Sequence, residues 1–274
     1  MLVRVQGVVR RYGRGAPVLD GVDLDLPAAE VVQVVGGNGA GKSTLLRIVA
    51  GVSPPTAGKV LGRPRVVGYV PQSGGADLGL SPHAYLWHLG RVRGLSARAA
   101  RERARDLLDR LGVASGRDAA LDTASGGTQR KAVIAQAFLV SPELLVLDEP
   151  WDGLDTATAT VLTGMLTEAA AASASVVLTD HQGEAPVPDV VVHELAGGRL
   201  TARGTGAVTI LLVARPGASE AGPVWADLPG VLSTVTTGRR MRLRVSTAGC
   251  DSVLTTALAH GWSVRQVTSE AGPG

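Results

Sequence analysis

Short apolar runs rich in β-branched residues alternate, over the first two hundred positions, with longer stretches in which apolar residues recur every three or four. The runs LVRVQGVV (2–9), VVQVVG (31–36), RVVGYV (65–70), LLVLD (144–148) and SVVLTD (175–180) predict strands. Several are apolar at nearly every position, as strands of a parallel sheet covered on both faces by helices are. Helical periodicity follows at about 42–50, 82–93, 97–111, 127–140 and 155–172. In SARAARERARDLLDRLG the leucines share one face, so the charges make a solvated face and not a nucleic-acid patch. Beyond about residue 204 the texture changes. GTGAVTILLVARPG, VLSTVTTG, RMRLRVS and VLTTALAHGWSVRQVTS read as strand, strand, strand, then helix and strand. The pattern predicts an α/β domain over 1–204 and a small α+β unit over 205–274, with the final EAGPG frayed.

Composition narrows this only a little. The 274 residues are 45% hydrophobic and 19% charged, with a formal charge of +3, too balanced to argue for a nucleic-acid partner. One cysteine, Cys250, excludes an intrachain disulfide framework and suits a reducing compartment. The first residues, MLVRVQGVVRRYG, lack the apolar core of a signal peptide, and no run approaches the ~18 apolar residues of a membrane span. Work at a membrane is therefore expected to go through a partner.

The chemistry is concentrated in three segments. VVQVVGGNGAGKSTLL places Gly36, four residues, then Gly41, Lys42 and Ser43 between a strand and a helix, which is the phosphate-loop pattern in its required context. Glycines 36, 37, 39 and 41 let successive N–H groups turn toward phosphate oxygens, while Lys42 adds a point charge and Ser43 a hydroxyl for Mg²⁺. LLVLDEP ends a buried strand in two acids, placing Asp148 to hold the metal through water and Glu149 to polarise an attacking water. ASGGTQRKAVIAQAF puts two glycines at a helix start, where they cost roughly 0.8–1.0 kcal/mol each against alanine. A helix N-terminus favours an anion, and glycines there let a backbone come close to one.

With these segments in this order, the chain resembles the nucleotide-binding subunits of ATP-binding cassette (ABC) ATPases over about residues 2–203. The resemblance implies a P-loop NTPase fold of the ABC type, 1–204, with a helical subdomain at about 73–140 and an accessory unit at 205–274. RRYG then puts Tyr12 where the family stacks an aromatic on adenine, and the loop Gly36, Gly37, Asn38, Gly39, Ala40, Gly41, Lys42, Ser43 and Thr44 on the phosphates. GYVPQ puts Gln72 at the Q-loop, which reaches Mg²⁺ together with Ser43 and Asp148. ASGGTQRK matches the signature motif, so Ser125, Gly126, Gly127 and Thr128 are expected to cap ATP held by another copy or a second cassette, head to tail. DEPWDGLD carries the D-loop with Asp152 and Asp155, and LTDHQGEA puts His181 at the γ-phosphate switch. Glu149, His181 and Lys42 are the expected catalytic set, and ATP with Mg²⁺ the expected ligands.

Departures from the family pattern fall at Ala124 for leucine, Thr128 for glutamine, Asp152 for a frequent serine and Gly37 for a frequent proline. LSPHAYLWHLGRVRGLS resembles the segment that meets the membrane protein in drug- and antibiotic-type exporters. The resemblance thus implies an ATPase subunit at the inner face of the cell membrane, held there by a separate permease and exporting a small, drug-like or lipid-like molecule. Two other classes stay open: a soluble ABC ATPase acting on a macromolecular complex, and a non-hydrolysing regulatory module, to which Thr128 and Asp152 lend some support.

Overall fold

In chain order the larger unit runs β1 (Leu2–Arg10), β2 (Leu19–Pro27), β3 (Val31–Val35), α1 (Lys42–Ala50), β4 (Ala57–Leu61), β5 (Val67–Val70), α2 (Pro82–Val92), α3 (Ala97–Arg110), α4 (Gly126–Ala137), β6 (Leu144–Leu147), α5 (Thr156–Ala171), β7 (Ser175–Thr179), β8 (Val191–Ala196) and β9 (Arg199–Ala202). These elements come from a computed structural model that describes residues 2–73, 79–113, 120–180, 185–188, 190–202, 207–214, 225–238, 240–246 and 249–269. The chain divides into two compact units, Met1–Thr201 and Ala202–Gly274.

A six-stranded sheet of order β5-β6-β7-β3-β8-β9 organises the larger unit, with β5/β6, β6/β7, β7/β3 and β3/β8 parallel. Its interior strand β6 is apolar throughout because each face meets a different core. Leu144 and Val146 of β6 join Val32, Val34 and Val177 in a core shared with β1, β2 and α1. Leu145 and Leu147 point the other way, with Val70, Val176 and Leu178, into a core shared with the helices α2 to α5. All four β6 side chains are fully buried, about 1.5–3 kcal/mol each by apolar transfer.

A second, antiparallel sheet of order β2-β1-β4 lies over the first core. Of its members only β1 is among the expected strands. In β2, Leu24 and Leu26 face inward while Asp23 and Asp25 face out, and half of a strand's positions being acidic or glycine hides it from a search for apolar runs. Strands β4 and β9 are exposed along most of their length, so they carry almost no hydrophobic signal.

Helices α2, α3 and α4 pack on one another. The first two start at serine caps, Ser81 Oγ accepting from Ala84 N and Ser96 Oγ from Ala99 N. Helix α4 differs from its expected span of 127–140. It begins at Gly126, so both signature glycines lie in its first turn, and it ends at Ala137, with Ser141 and Pro142 in the turn before β6.

The smaller unit contains β10 (Ala207–Ala214), a 3-10 turn at Trp225–Asp227, β11 (Val231–Thr237), β12 (Arg240–Ser246), α6 (Cys250–Ala259) and β13 (Trp262–Ser269). Its sheet is antiparallel, of order β11-β12-β10-β13. In β12, Met241, Leu243 and Val245 face a core that includes Ile210, Leu212, Val253 and Trp225, while Arg240, Arg242 and Arg244 face out. The terminal EAGPG lies outside the described residues. Among those described, no helix is long and apolar enough to cross a membrane.

Candidate functional site

The carboxyl ends of β3, β6 and β7 lie side by side, because these strands are parallel neighbours. Ligands of open α/β sheets bind at such ends. Here the chain leaves β3 in the glycine loop and enters α1 directly. Gly36 is obligatory for packing reasons, since a Cβ there would stand 2.4 Å from the Leu195 carbonyl oxygen. Gly41 caps α1 with a left-handed φ of 104°, and its helix start has no side-chain cap. Helices α2, α3, α4 and α5 all have such a cap, so among the described residues of this unit α1 is the helix whose first N–H groups are left without a side-chain acceptor.

Gly37, Asn38 and Gly39 form the exposed tip of the loop, closed by a hydrogen bond from Ala40 N to Gly37 O of 3.2 Å. Lys42 is 6% exposed and folds back across it, its Nζ donating to Gly36 O at 2.7 Å and Gly37 O at 3.2 Å. Ser43 and Thr44 follow in the first turn. Tyr12 is half exposed, with the Arg10 guanidinium 4.6 Å from its ring centroid. The neighbouring Arg10 and then Thr44 side chains hold its hydroxyl below the usual phenol range.

At the end of β6 a small polar network is assembled. Asp148 is 1% exposed, and Thr179 Oγ1, at the end of β7, donates to its Oδ1 at 2.7 Å. The same hydroxyl accepts from Glu149 N at 2.9 Å. Glu149 has a left-handed φ of 48°, unusual for a residue with a side chain and worth on the order of 1–3 kcal/mol of strain. Its Oε2 accepts from Gln72 Nε2 at 2.9 Å, which joins the Q-loop to the acidic strand end. Arg130 closes the network from α4. Its Nη1 donates to Pro71 O at 2.5 Å and Gln72 O at 3.2 Å, and its Nη2 to Asp148 O at 3.1 Å and Glu149 O at 2.7 Å. Burial pushes the guanidinium pKa down, opposed by Asp152, Asp148 and Glu149.

The signature segment lies at the other end of α4's first turns. Ser125 is its N-cap: Oγ accepts from Thr128 N at 3.3 Å and lies 3.0 Å from Thr128 Oγ1. The cap and phosphate readings of SGG are thus not exclusive. Ser125 and Gly126 are exposed, and a Cβ on Gly126 would meet nothing within 4 Å. Asp155 in turn caps α5, accepting from Thr158 N at 2.8 Å, and Lys131 Nζ donates to its Oδ2 at 2.9 Å. These contacts, the Thr158 backbone first, hold its carboxyl well below the usual range. Asp152 N donates to Glu149 O at 3.2 Å, so the D-loop turn starts on the strained residue.

Tyr12 and the loop 36–44 thus share one cluster, and Gln72, Asp148 and Glu149 another at the ends of β5 and β6, which β7 separates from β3. Ser125 and Gly126 lie on an exposed helix start, with Gly127 and Thr128 half-buried beside them, and His181 falls outside the described residues. Thr179 and Arg130 went unremarked in the sequence. Thr179's signal is weak, a lone hydroxyl ending an apolar strand before Asp180; Arg130's is a basic residue beside the signature glycines.

Residues 19–152 match the family model described as ABC transporter. The daunorubicin/doxorubicin resistance ATP-binding protein DrrA of Streptomyces peucetius is 39% identical over 164 residues, covering 56% of this chain and 49% of that protein. The zinc import ATP-binding protein ZnuC of Pseudomonas putida is 38% identical over 167 residues, covering 61% and 63%. The chain therefore spans between about half and just under two thirds of the length of these relatives. Among solved structures, an ATP-binding subunit of an ABC transporter aligns with a TM-score of 0.66 at 25% identity, over 74% of this chain and 90% of that one. A dimeric ATP-binding cassette in a post-hydrolysis state, bound to ADP and phosphate, shares the fold with a TM-score of 0.63 at 22% identity, over 73% and 98%.

Proposed function

For this chain, which carries an ATP-binding domain of the ABC transporter family, we propose ATP hydrolysis at a site shared by two copies, powering a separate membrane permease. The observation that supports it most is the convergence of an uncapped glycine-loop helix and the Asp148–Thr179–Glu149–Gln72 network on adjacent strand ends. The α1 N-terminus and Lys42 bind the β- and γ-phosphates, and Tyr12 stacks on the base. Glu149 orients the attacking water and takes its proton, and the Ser125–Thr128 turn closes over the γ-phosphate of the other copy, with His181 beside it.

Magnesium fits the donor set. Among the described residues no three acidic, histidine or cysteine side chains gather as a metal cage; Ser43, Gln72 and Asp148 offer hydroxyl, amide and carboxylate oxygens. Such a set suits a hard cation that retains waters and arrives with substrate phosphates. When bound, it neutralises charge on the β- and γ-oxygens.

Coupling follows from differential affinity. ATP binds the closed pair better than the open one, hydrolysis removes that preference, and the permease responds to both states. The direction we propose is export of a small drug-like or lipid-like molecule, supported by the segment at 80–96 and by likeness to the doxorubicin-resistance protein. The zinc-import relatives favour a second reading, import, at similar identity. Purified protein is expected to release phosphate from ATP-Mg²⁺, with the rate cut to a slow but measurable residual in Glu149→Gln. Transport assayed in vesicles carrying the permease decides direction by the side on which substrate accumulates.

A further inference from the structure

We propose that Arg130 is the positioning residue that holds the hydrolytic carboxylate in its strained conformation and ties that conformation to the signature helix. This rests on the reading of Glu149 as the general base. One guanidinium bonds four carbonyl oxygens, two from the Q-loop (Pro71, Gln72) and two from the strand end (Asp148, Glu149). These loops are far apart in sequence and contain the two side chains, Gln72 and Glu149, that bond each other.

Glu149's left-handed backbone is gripped on both sides. Its N–H is held by the Thr179 hydroxyl and its C=O by Arg130. Thr179 belongs to the sheet, whereas Arg130 belongs to α4, five residues beyond the Ser125 cap. Whatever engages Ser125 to Thr128 pushes on the helix that carries this clamp. Rotation of α4 changes the pull on Glu149 O and Gln72 O together, so contact with the opposite nucleotide sets the geometry of the base. A planar fork with several donors does this, and an ammonium cannot reproduce four such bonds.

The adjacent Lys131 provides the contrast. It ties the same helix to Asp155 through its Nζ, 2.9 Å from Oδ2, and not to the strand end.

The test uses the full chain with Arg130→Lys, Arg130→Gln and Lys131→Met, each alone and in the Glu149→Gln background. The readouts are thermal midpoint, affinity for a fluorescent ATP analogue, kcat and KM. Both Arg130 variants should lower kcat about tenfold or more with KM and nucleotide affinity within about twofold, a loss that corresponds to roughly 1.4 kcal/mol or more in the barrier. Lys131→Met should change kcat little. In the Glu149→Gln background the Arg130 variants should add no further loss, because they act through that carboxylate.

Folded Arg130 variants with unchanged kcat, or with losses that multiply on top of Glu149→Gln, overturn the proposal. A loss seen equally in nucleotide affinity does so as well, since it marks a merely structural role. If the parent itself releases no phosphate, the hydrolytic reading fails first, and the proposal, which rests on it, falls with it.

Discussion

At the scale of single residues, the site depends on small groups that hold larger ones in unusual places. Thr179 is the clearest case, since its one hydroxyl serves both Asp148 and the backbone of Glu149. Thr179→Val keeps the shape and removes both bonds, leaving a buried carboxylate short of a donor at a cost of about 1–3 kcal/mol. It is expected to lower kcat roughly tenfold or more, while Thr179→Ser retains most activity; steady-state phosphate release on both variants checks this. Asp155 shows a charge effect with a defined sign. Its folded pKa is depressed, by the Thr158 backbone and the Lys131 ammonium. Its contribution to stability is therefore present above the unfolded value near 3.9 and lost progressively as pH falls from there through the depressed folded value. Urea midpoints of the parent and Asp155→Asn should differ by a constant amount from pH 7 to about 5, and begin to converge only below about pH 4. A gap that widens on acidification contradicts the assignment.

Among the elements, the parallel strands β3, β5, β6 and β7 were readable in the sequence because burial leaves short continuous apolar runs, and the helices because their apolar residues recur every three or four. Strands β2, β4, β8 and β9 were not, since a strand whose outward positions are aspartate, one half-buried and interrupted by His193 and Glu194, or one exposed along most of its length carries no such run. The phosphate loop was readable residue by residue; the Arg130 clamp was not, because its four bonds join segments that only the fold brings together. The glycines divide the same way. Gly36 is required inside the chain, where an added Cβ meets Leu195 O, whereas Gly126 has open space around its Cβ position. Gly36→Ala should cost about 1–3 kcal/mol by overpacking and abolish nucleotide binding. Gly126→Ala should leave the thermal midpoint and ATP-analogue affinity of the single subunit unchanged, yet weaken ATP-driven dimerisation at least tenfold. Equal effects of the two on the isolated subunit would refute this division.

For the whole molecule, the account rests on a site that one chain does not complete. In the proposed function the loop and acidic strand ends bind ATP from one side, and the turn Ser125–Thr128, exposed at Ser125 and Gly126, meets the nucleotide of a second copy. The smaller unit, with its own core of Ile210, Leu212, Leu243 and Trp225, forms a separate compact body. A chain ending at Thr201 is expected to keep ATP-analogue affinity within about twofold, measured by fluorescence titration. The most direct test of the shared site is the mass of Glu149→Gln by analytical ultracentrifugation, with and without ATP-Mg²⁺. The account predicts a monomer without nucleotide and a dimer with it, because binding is intact and hydrolysis is too slow to reopen the pair. A protein that binds ATP and stays monomeric at every nucleotide concentration contradicts it.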